Sequence, residues 1–319
     1  MEYDDHGGTV SFMRPYFIVN PVACGGKCAG MFDEVRKYLE EHGMDYEFIK
    51  TEAPGLSAGL ALGAYERGER FLVSVGGDGT LSEIVSAIYD KSDVTLGLLP
   101  FGTGNDFARA LAIPTEPRAA ARVLLEGETR PVDAGLAGNK PFINVGGLGF
   151  DVDVVLNTER YKGKLHGMLP YFLGVMRSMT HLNRVPVKLT ADGRVVEETA
   201  LILSIANGTH FGGGMHVAPE ADPSDGYFDV CMIRSISLAT FLLLLPKFLK
   251  GRHVGKKPVV YFKAKEILVE CERTPVQLDG ELGEYAPVCF KVLKGALKMV
   301  LPVPEETKDG AKKKTNSHP

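Results

Sequence analysis

"VSVGGDGTLSEIV", residues 73–85, decides the fold of this chain. An apolar run reaches Gly76, turns through Gly77-Asp78-Gly79, and resumes at Thr80 with helical periodicity. A buried strand delivered straight into a helix is the building unit of a parallel sheet covered by helices. Its neighbours repeat the unit. "RPYFIVNP" reads as a strand, "AGMFDEVRKYLEEHG" as an amphipathic helix closed by Gly43, and "YEFIKT" as a second strand. A helix over 56–67 follows, then "RFLVSVGG", the helix "TLSEIVSAIYD" and the strand "VTLGLLPFG". "NDFARALAI" and "PRAAARVLLEG" are two further helical pieces, stopped by Pro114 and Gly127.

The texture changes near Arg130. "RPVDAGLAGNKPFINVGG" predicts a hairpin turning at Gly138-Asn139, followed by a helix over 165–182. Strand-like alternation then returns around Asp192-Gly193 and at 227–233, 258–270 and 274–302. The expected architecture is a two-domain α/β protein. A Rossmann-like parallel sheet with helices takes 15–130, and a β-rich, sandwich-like domain takes 131–304, with its last strands able to return to the first domain. "EETKDGAKKKTNSHP" ends the chain as a disordered tail over 305–319, its lysines solvated.

Length and composition suit this reading, since 319 residues at 45% hydrophobic are enough for two cores. A net charge of −4 gives no signal for a nucleic-acid partner. The five cysteines, at 24, 28, 231, 271 and 289, show no zinc spacing. Small thiols in a reducing compartment describe them better than the pair Cys24-x3-Cys28 as a metal site. The start, "MEYDDHGGTVSFMRP", is acidic and lacks the apolar core of a signal peptide. "SLATFLLLLPKFLK", residues 237–250, falls short of the roughly 20 residues that span a bilayer and is interrupted by Pro246. A cytoplasmic chain with transient membrane association is expected; the oligomeric state is open, a homodimer included.

Three glycine-rich corners sit where strands of the first domain end: 20–26, 76–80 and 100–106. Such ends face the ligand crevice of an open α/β sheet, and glycines there let backbone amides approach an anion. Phosphate is the natural occupant; ordinary βα turns are the plain alternative. Standard fingerprints do not fit. "GGKCAG" lacks the P-loop spacing and has Cys28 in place of Ser or Thr, and Ser82 replaces the third glycine of a dinucleotide loop. Asp78 beside a phosphate requires Mg²⁺ or a hydrogen-bond donor between them. Asn105 and Asp106 suit helix capping as well as chemistry.

"NPVACGGK", "VSVGGDGTLSEIV" and "LPFGTGNDFARAL" resemble the catalytic-domain signatures of the diacylglycerol kinase family, in its soluble bacterial lipid-kinase branch. The resemblance continues through "INVGGLGFDVDVV", "ANGTHFGGGMHVAPEADPSDGYFDV" and "VQLDGE", over 15–303. It departs at Ala23 and Cys24, where many relatives carry small Ser/Ala and Gly. The resemblance implies a nucleotide-binding first domain, a lipid-binding second domain, and transfer of the ATP γ-phosphate to diacylglycerol or a related glycerolipid with Mg²⁺. By position it places Asn20, Gly76, Gly77, Asp78, Gly79 and Thr80 at the nucleotide, with Thr103 nearby, and Asp106 in a Mg²⁺-carboxylate network. It makes 225–227 a structural Mg²⁺ loop, with the Asp225 carboxylate and the Asp222 and Tyr227 carbonyls as ligands.

"PVQLDGELGEYAP" sets Asp279 and Glu281 two apart, so an extended segment would point both carboxylates to one side. The resemblance makes Glu281 the general base toward the lipid hydroxyl and puts Asp279 in the Mg²⁺ network. His210 and His216 flank "FGGGM" without a zinc spacing and read as packed or surface residues. Lys247, Lys250, Arg252, His253, Lys256 and Lys257 follow the apolar stretch and could form a basic rim for an anionic bilayer; a core helix followed by a solvated loop is the alternative. Rival functions are a kinase for sphingosine or another long-chain alcohol, an NAD kinase, and a non-catalytic lipid-binding protein.

Overall fold

The computed structural model describes residues 14–161 and 169–304; the tail expected over 305–319 lies outside the described residues. Strands β1 (Tyr16–Val19), β2 (Glu47–Lys50), β3 (Phe71–Gly76) and β4 (Thr95–Pro100) lie parallel in the order β2-β1-β3-β4. Helices α1 (Cys28–Glu41), α2 (Ser57–Glu66) and α3 (Asp78–Ile88) connect them, and α4 (Asp106–Ala110) and α5 (Pro117–Glu126) follow. Both faces of the sheet are covered. Ile18, Leu72 and Leu98 pack under α2 and α3, while Phe17, Val73 and Leu99 pack under α1 and α5. Every residue of β3 is buried, and each large apolar side chain so placed contributes about 1.5–3 kcal/mol relative to exposure.

The second half contains β5 (Glu128–Ala137), β6 (Lys140–Phe142) and β7 (Val145–Gly149), then α6 (Phe150–Glu159) and α7 (Leu169–Ser178). Next come β8 (Val185–Ala191), β9 (Arg194–Ala206) and β10 (Phe228–Arg234), followed by α8 (Leu238–Leu249). The chain closes with β11 (Val259–Ala264), β12 (Glu266–Glu270), β13 (Pro275–Leu278), β14 (Glu281–Tyr285) and β15 (Val288–Leu301). These strands pair antiparallel with one another, and the result is a C-terminal β-rich unit beside the parallel N-terminal one. The aromatic rings of Phe142, Phe228 and Phe290 meet inside it.

Strand β15 joins the halves. It runs antiparallel to β12 and β5, then pairs parallel with β4 through Lys298–Thr95 and Met299–Leu96. Its register shifts between Leu293 and Leu297, at Gly295 with φ 61. Asp133, buried in β5, clamps that irregularity: one carboxylate oxygen accepts the Gly295 N–H and the other the Gly226 N–H, each at 2.6 Å. The Asn207 amide adds bonds to the carbonyls of Asp133 and Ile143 at 2.8 and 2.7 Å.

Three helices of this half show how packing refines the local sequence pattern. Residues 150–159 form a helix, α6, although apolar residues at 150, 152 and 154 mimic strand alternation. The helix expected over 165–182 is α7, ending at Ser178, and its first expected residues lie outside the described ones. Pro246 does not interrupt its helix, which runs on to Leu249. Proline there forfeits the bond to the Leu242 carbonyl, and both residues lie on the exposed side, where the loss is less costly than in the core.

Asp133→Asn would set an amide N–H against a backbone N–H at one end of this clamp. The expected loss is about 1–3 kcal/mol, the cost of one unsatisfied buried group, read as a lower urea midpoint. An unchanged midpoint would show that β5 and β15 hold together without it.

Candidate active site

The first two glycine corners touch. The Asn20 amide donates to the Thr80 hydroxyl at 3.1 Å, and the Asn20 N–H bonds the carbonyl of Val75 at 2.9 Å. Between them the backbone turns through 23–26, where Cys24 takes φ 51, a left-handed conformation that costs a non-glycine residue about 1–2 kcal/mol. The second and third corners also touch, backbone to backbone: a Cβ added at Gly77 would lie 3.1 Å from the Gly102 Cα. Gly76 is hemmed in by the Thr80 side chain, whereas Gly79 has open space beside it. Two of the three glycines around Asp78 are thus required by the protein's own packing. Thr103 is exposed at the rim.

Asp78 opens α3 and Asp106 opens α4, and the two carboxylates flank Gly104. A Cβ added at Gly104 would lie 2.9 Å from one Asp78 oxygen and 3.6 Å from an Asp106 oxygen. Asp78 accepts the Phe107 N–H at 3.2 Å. Asp106 accepts the Gly213 N–H at 2.7 Å and pairs with Arg109 at 3.1 Å. Burial pushes the Asp106 pKa up to about 6 against the Gly213 N–H, and the Asp78 charge adds to the rise. Asn105, with φ 53, closes the loop by bonding both the N–H and the carbonyl of Gly102.

The Asp279-Glu281 segment is not extended. Asp279 (φ 52) and Gly280 (φ 91) form the two-residue turn between β13 and β14, with Leu278 opposite Glu281 in register. The alternation argument therefore fails, because two positive φ angles reverse the chain between the carboxylates. Both Asp279 oxygens are engaged. One accepts the N–H groups of Asn144 (2.8 Å) and Val145 (3.2 Å), the other the Ile143 N–H (2.9 Å) and the Ser82 hydroxyl (2.8 Å). Burial raises its pKa and these donors oppose the rise. Glu281 is exposed, and its side chain has no hydrogen-bond or ion-pair partner among the described residues.

A cavity of about 290 Å³ connects these groups to the second domain. Asp78, Asp106, Asp279 and Gly280 line one end. The rest is an apolar chamber beneath α6, α7 and α8, walled by Val154, Val175, Met179, Phe241 and Phe248 among others. Asp151, which lines this chamber, was not singled out in the sequence, where it is one acid inside an apolar motif.

The second-domain acids lie in a different setting. Asp225 pairs with Lys263 at 2.6 Å and accepts the Tyr227 N–H at 2.9 Å, while the Asp222 carbonyl accepts the Asp225 N–H at 3.2 Å. The rings of His210 and His216 stack with centroids 4.2 Å apart, and burial lowers both pKa values, that of His210 to about 4. His253 does not belong to the basic rim. It is fully buried, donates to the Val217 carbonyl at 3.1 Å, and burial lowers its pKa. All five cysteines are free thiols.

Residues 14–137 match the family described as the diacylglycerol kinase catalytic domain, and residues 145–301 match the YegS C-terminal NAD kinase beta sandwich-like domain. A diacylglycerol kinase of Bacillus subtilis (strain 168) is 30% identical over 292 residues, spanning 91% of this chain and 96% of its own length. One from Mycobacterium tuberculosis is 31% identical over 294 residues, spanning 89% and 94%. A candidate diacylglycerol kinase from Bacillus anthracis, solved as a crystal structure, superposes with a TM-score of 0.77 at 26% identity, over 91% of this chain and 98% of its own. A yeast NADH kinase complexed with NADH shares the fold alone, at TM-score 0.52 and 11% identity. These likenesses make the chain a two-domain kinase. It belongs to the diacylglycerol kinase family.

Asp279→Ala would leave the N–H groups of Ile143, Asn144 and Val145 without their acceptor. At about 1–3 kcal/mol for each unsatisfied buried donor, a loss of roughly 3 kcal/mol or more is expected, read as a lower melting temperature. Full retention of stability would mean that water replaces the carboxylate.

Proposed function

We propose that the protein transfers the γ-phosphate of ATP to the free hydroxyl of diacylglycerol or a related glycerolipid, with Mg²⁺. One observation carries the reading: a single cavity has carboxylates at one end and an apolar chamber at the other, the polarity of a lipid alcohol meeting a phosphoryl donor.

In this reading the nucleotide lies along the glycine corners, with Asn20, Thr80 and Thr103 as side-chain contacts. The open side of Gly79 and the N-terminus of α3 face its phosphates. Asp78 and Asp106 are hard oxygen donors brought close together, a set that fits Mg²⁺, and they would hold it. The bound ion would offset the charge of the phosphates. Arg109 and the Gly213 N–H keep Asp106 in place. Glu281 takes the proton of the attacking hydroxyl. Asp279, with four protein donors on its oxygens, serves the carboxylate network by positioning the turn that presents Glu281. At 225–227 the Asp225 carboxylate and the Asp222 and Tyr227 carbonyls are an oxygen set of the right kind for a second, structural Mg²⁺, which would have to displace the Lys263 ammonium.

Among the described residues no helix is long and apolar enough to cross a membrane. The outer face of the chamber wall is nevertheless greasy: Leu238, Leu242, Leu243 and Leu249 of α8 and Phe172 and Met176 of α7 are exposed. Lys247, Lys250, Arg252, Lys256 and Lys257 are exposed beside them. We assign this face to transient contact with an anionic bilayer, from which the acceptor passes into the chamber.

Labelled γ-phosphate should appear in diacylglycerol in the presence of Mg²⁺ and not with EDTA, when ceramide, sphingosine and NAD are offered in parallel. Label in NADP alone would overturn the assignment. Glu281→Gln should lower kcat by about 10²–10⁴, the usual share of a general base, with ATP affinity within about threefold. Equal loss of both would remove Glu281 from that role. A Leu242→Glu, Leu243→Glu double variant should lose activity on anionic vesicles and keep it on acceptor dispersed in detergent micelles. Parallel loss in both assays would count against the membrane face.

A further inference from the structure

The chamber wall carries a buried acid that the phosphoryl-transfer site does not use. Asp151 stands in the first turn of α6, buried, on the face of that helix that also turns Phe150, Val154, Val155 and Thr158 toward the cavity. The sheet is shaped to receive it. Ser204 of β9, Gly147 of β7 and Gln277 of β13 lie side by side in register across three strands. A Cβ added at Gly147 would come 2.7 Å from an Asp151 oxygen, so the missing side chain is the space the carboxyl occupies.

The surrounding bonds leave this pocket of polarity incomplete. Asp151 accepts the Val152 N–H at 3.0 Å and the Gln277 amide at 3.1 Å. Gln277, itself fully buried, accepts the Gly280 N–H at 2.9 Å, so the carboxyl is tied to the turn beside Glu281. Ser204 is 2% exposed and lines the same chamber, yet its hydroxyl has no partner among the described residues. Burial pushes the Asp151 pKa up to about 7 against the Gln277 amide, so the carboxyl carries a proton much of the time at neutral pH. Two O–H donors inside an apolar chamber are costly unless something accepts from them. An alkyl chain offers no acceptor. A diacylglycerol offers an ester carbonyl oxygen close to the glycerol carbon that carries its free hydroxyl.

We propose that Asp151 and Ser204 donate hydrogen bonds to an ester carbonyl of the bound lipid, making them specificity residues that set the glycerol hydroxyl toward the Asp279-Gly280 turn. The inference rests on the glycerolipid reading above and names the part of that lipid which is recognised. It also gives Gln277 a role, as the link that keeps the ester contact and the turn in fixed relation.

The test compares 1,2-diacylglycerol with its 1,2-dialkyl ether analogue, which lacks both carbonyls, in the same detergent micelles. Wild-type enzyme should prefer the diacyl acceptor by about tenfold or more in kcat/KM, the value of one well-formed hydrogen bond to a site built for it. Ser204→Ala and Asp151→Leu should bring the two acceptors within about twofold by raising the diacyl KM, while the ATP KM stays constant; Asp151→Asn, which keeps a donor, should retain the preference. Equal loss on both acceptors, or no wild-type preference, would overturn the inference while leaving the kinase assignment intact. A preference for sphingosine that Asp151→Asn abolishes would also overturn it, in favour of a carboxylate holding an amine. Transfer to neither glycerolipid by the wild type would remove the substrate reading and this inference together.

Discussion

The Asp279 carboxylate is the interaction on which the site depends. Its four donors come from α3, through Ser82, and from the entry into β7, through Ile143, Asn144 and Val145. A turn near the end of the chain is thereby fastened to the helix that opens with Asp78. A charged acceptor serves here better than a neutral one, because hydrogen bonds to an ionised group are roughly twice as strong. Held this way, a turn with two positive φ angles has little freedom, and Glu281 leaves it in a set direction.

The same economy governs the corners of the first domain. Gly77 and Gly102 bring two loops into backbone contact, which places Asp78 and Asp106 on either side of Gly104. Burial raises the pKa of Asp106, and the nearby Asp78 charge adds to the rise. A divalent cation held between them, as proposed, would offset both charges. At 225–227 the opposite holds, since Lys263 already balances Asp225.

The two halves supply different solvents for one reaction. Parallel strands and helix N-termini make a polar crevice; three helices laid over the β-rich half make an apolar chamber, and the greasy outer face of that chamber lies beside a basic rim. Strand β15 and the Asp133 clamp keep the crevice and the chamber in register. A cavity that changes polarity along its length suits the amphiphilic acceptor proposed for it.

Much of this was legible in the sequence. Unbroken apolar runs ending in glycine declared the parallel strands, because only a strand buried on both faces needs them, and Gly138-Asn139 and Asp192-Gly193 marked hairpins that formed where expected. The motifs around Asp78, Asp106 and Glu281 declared a kinase family before any fold was visible. Other features required the third dimension. Residues 150–154 alternate as a strand would, yet they open a helix, since Gly149 at φ 100 turns the chain over the sheet and packing overrides local pattern. His253 reads as part of a basic run and is buried against Val217, because the chain folds back at Gly251 and Gly255. Asp151 looked like any acid in an apolar motif; its place over Gly147, between Ser204 and Gln277, exists only once three strands lie side by side. Sequence by itself determined the strand-and-turn grammar and the chemistry of the corners, which depend on near neighbours. Tertiary structure alone decided which carboxylates meet, which are spent on backbone donors and which face the apolar chamber, because those outcomes depend on contacts between residues more than a hundred positions apart.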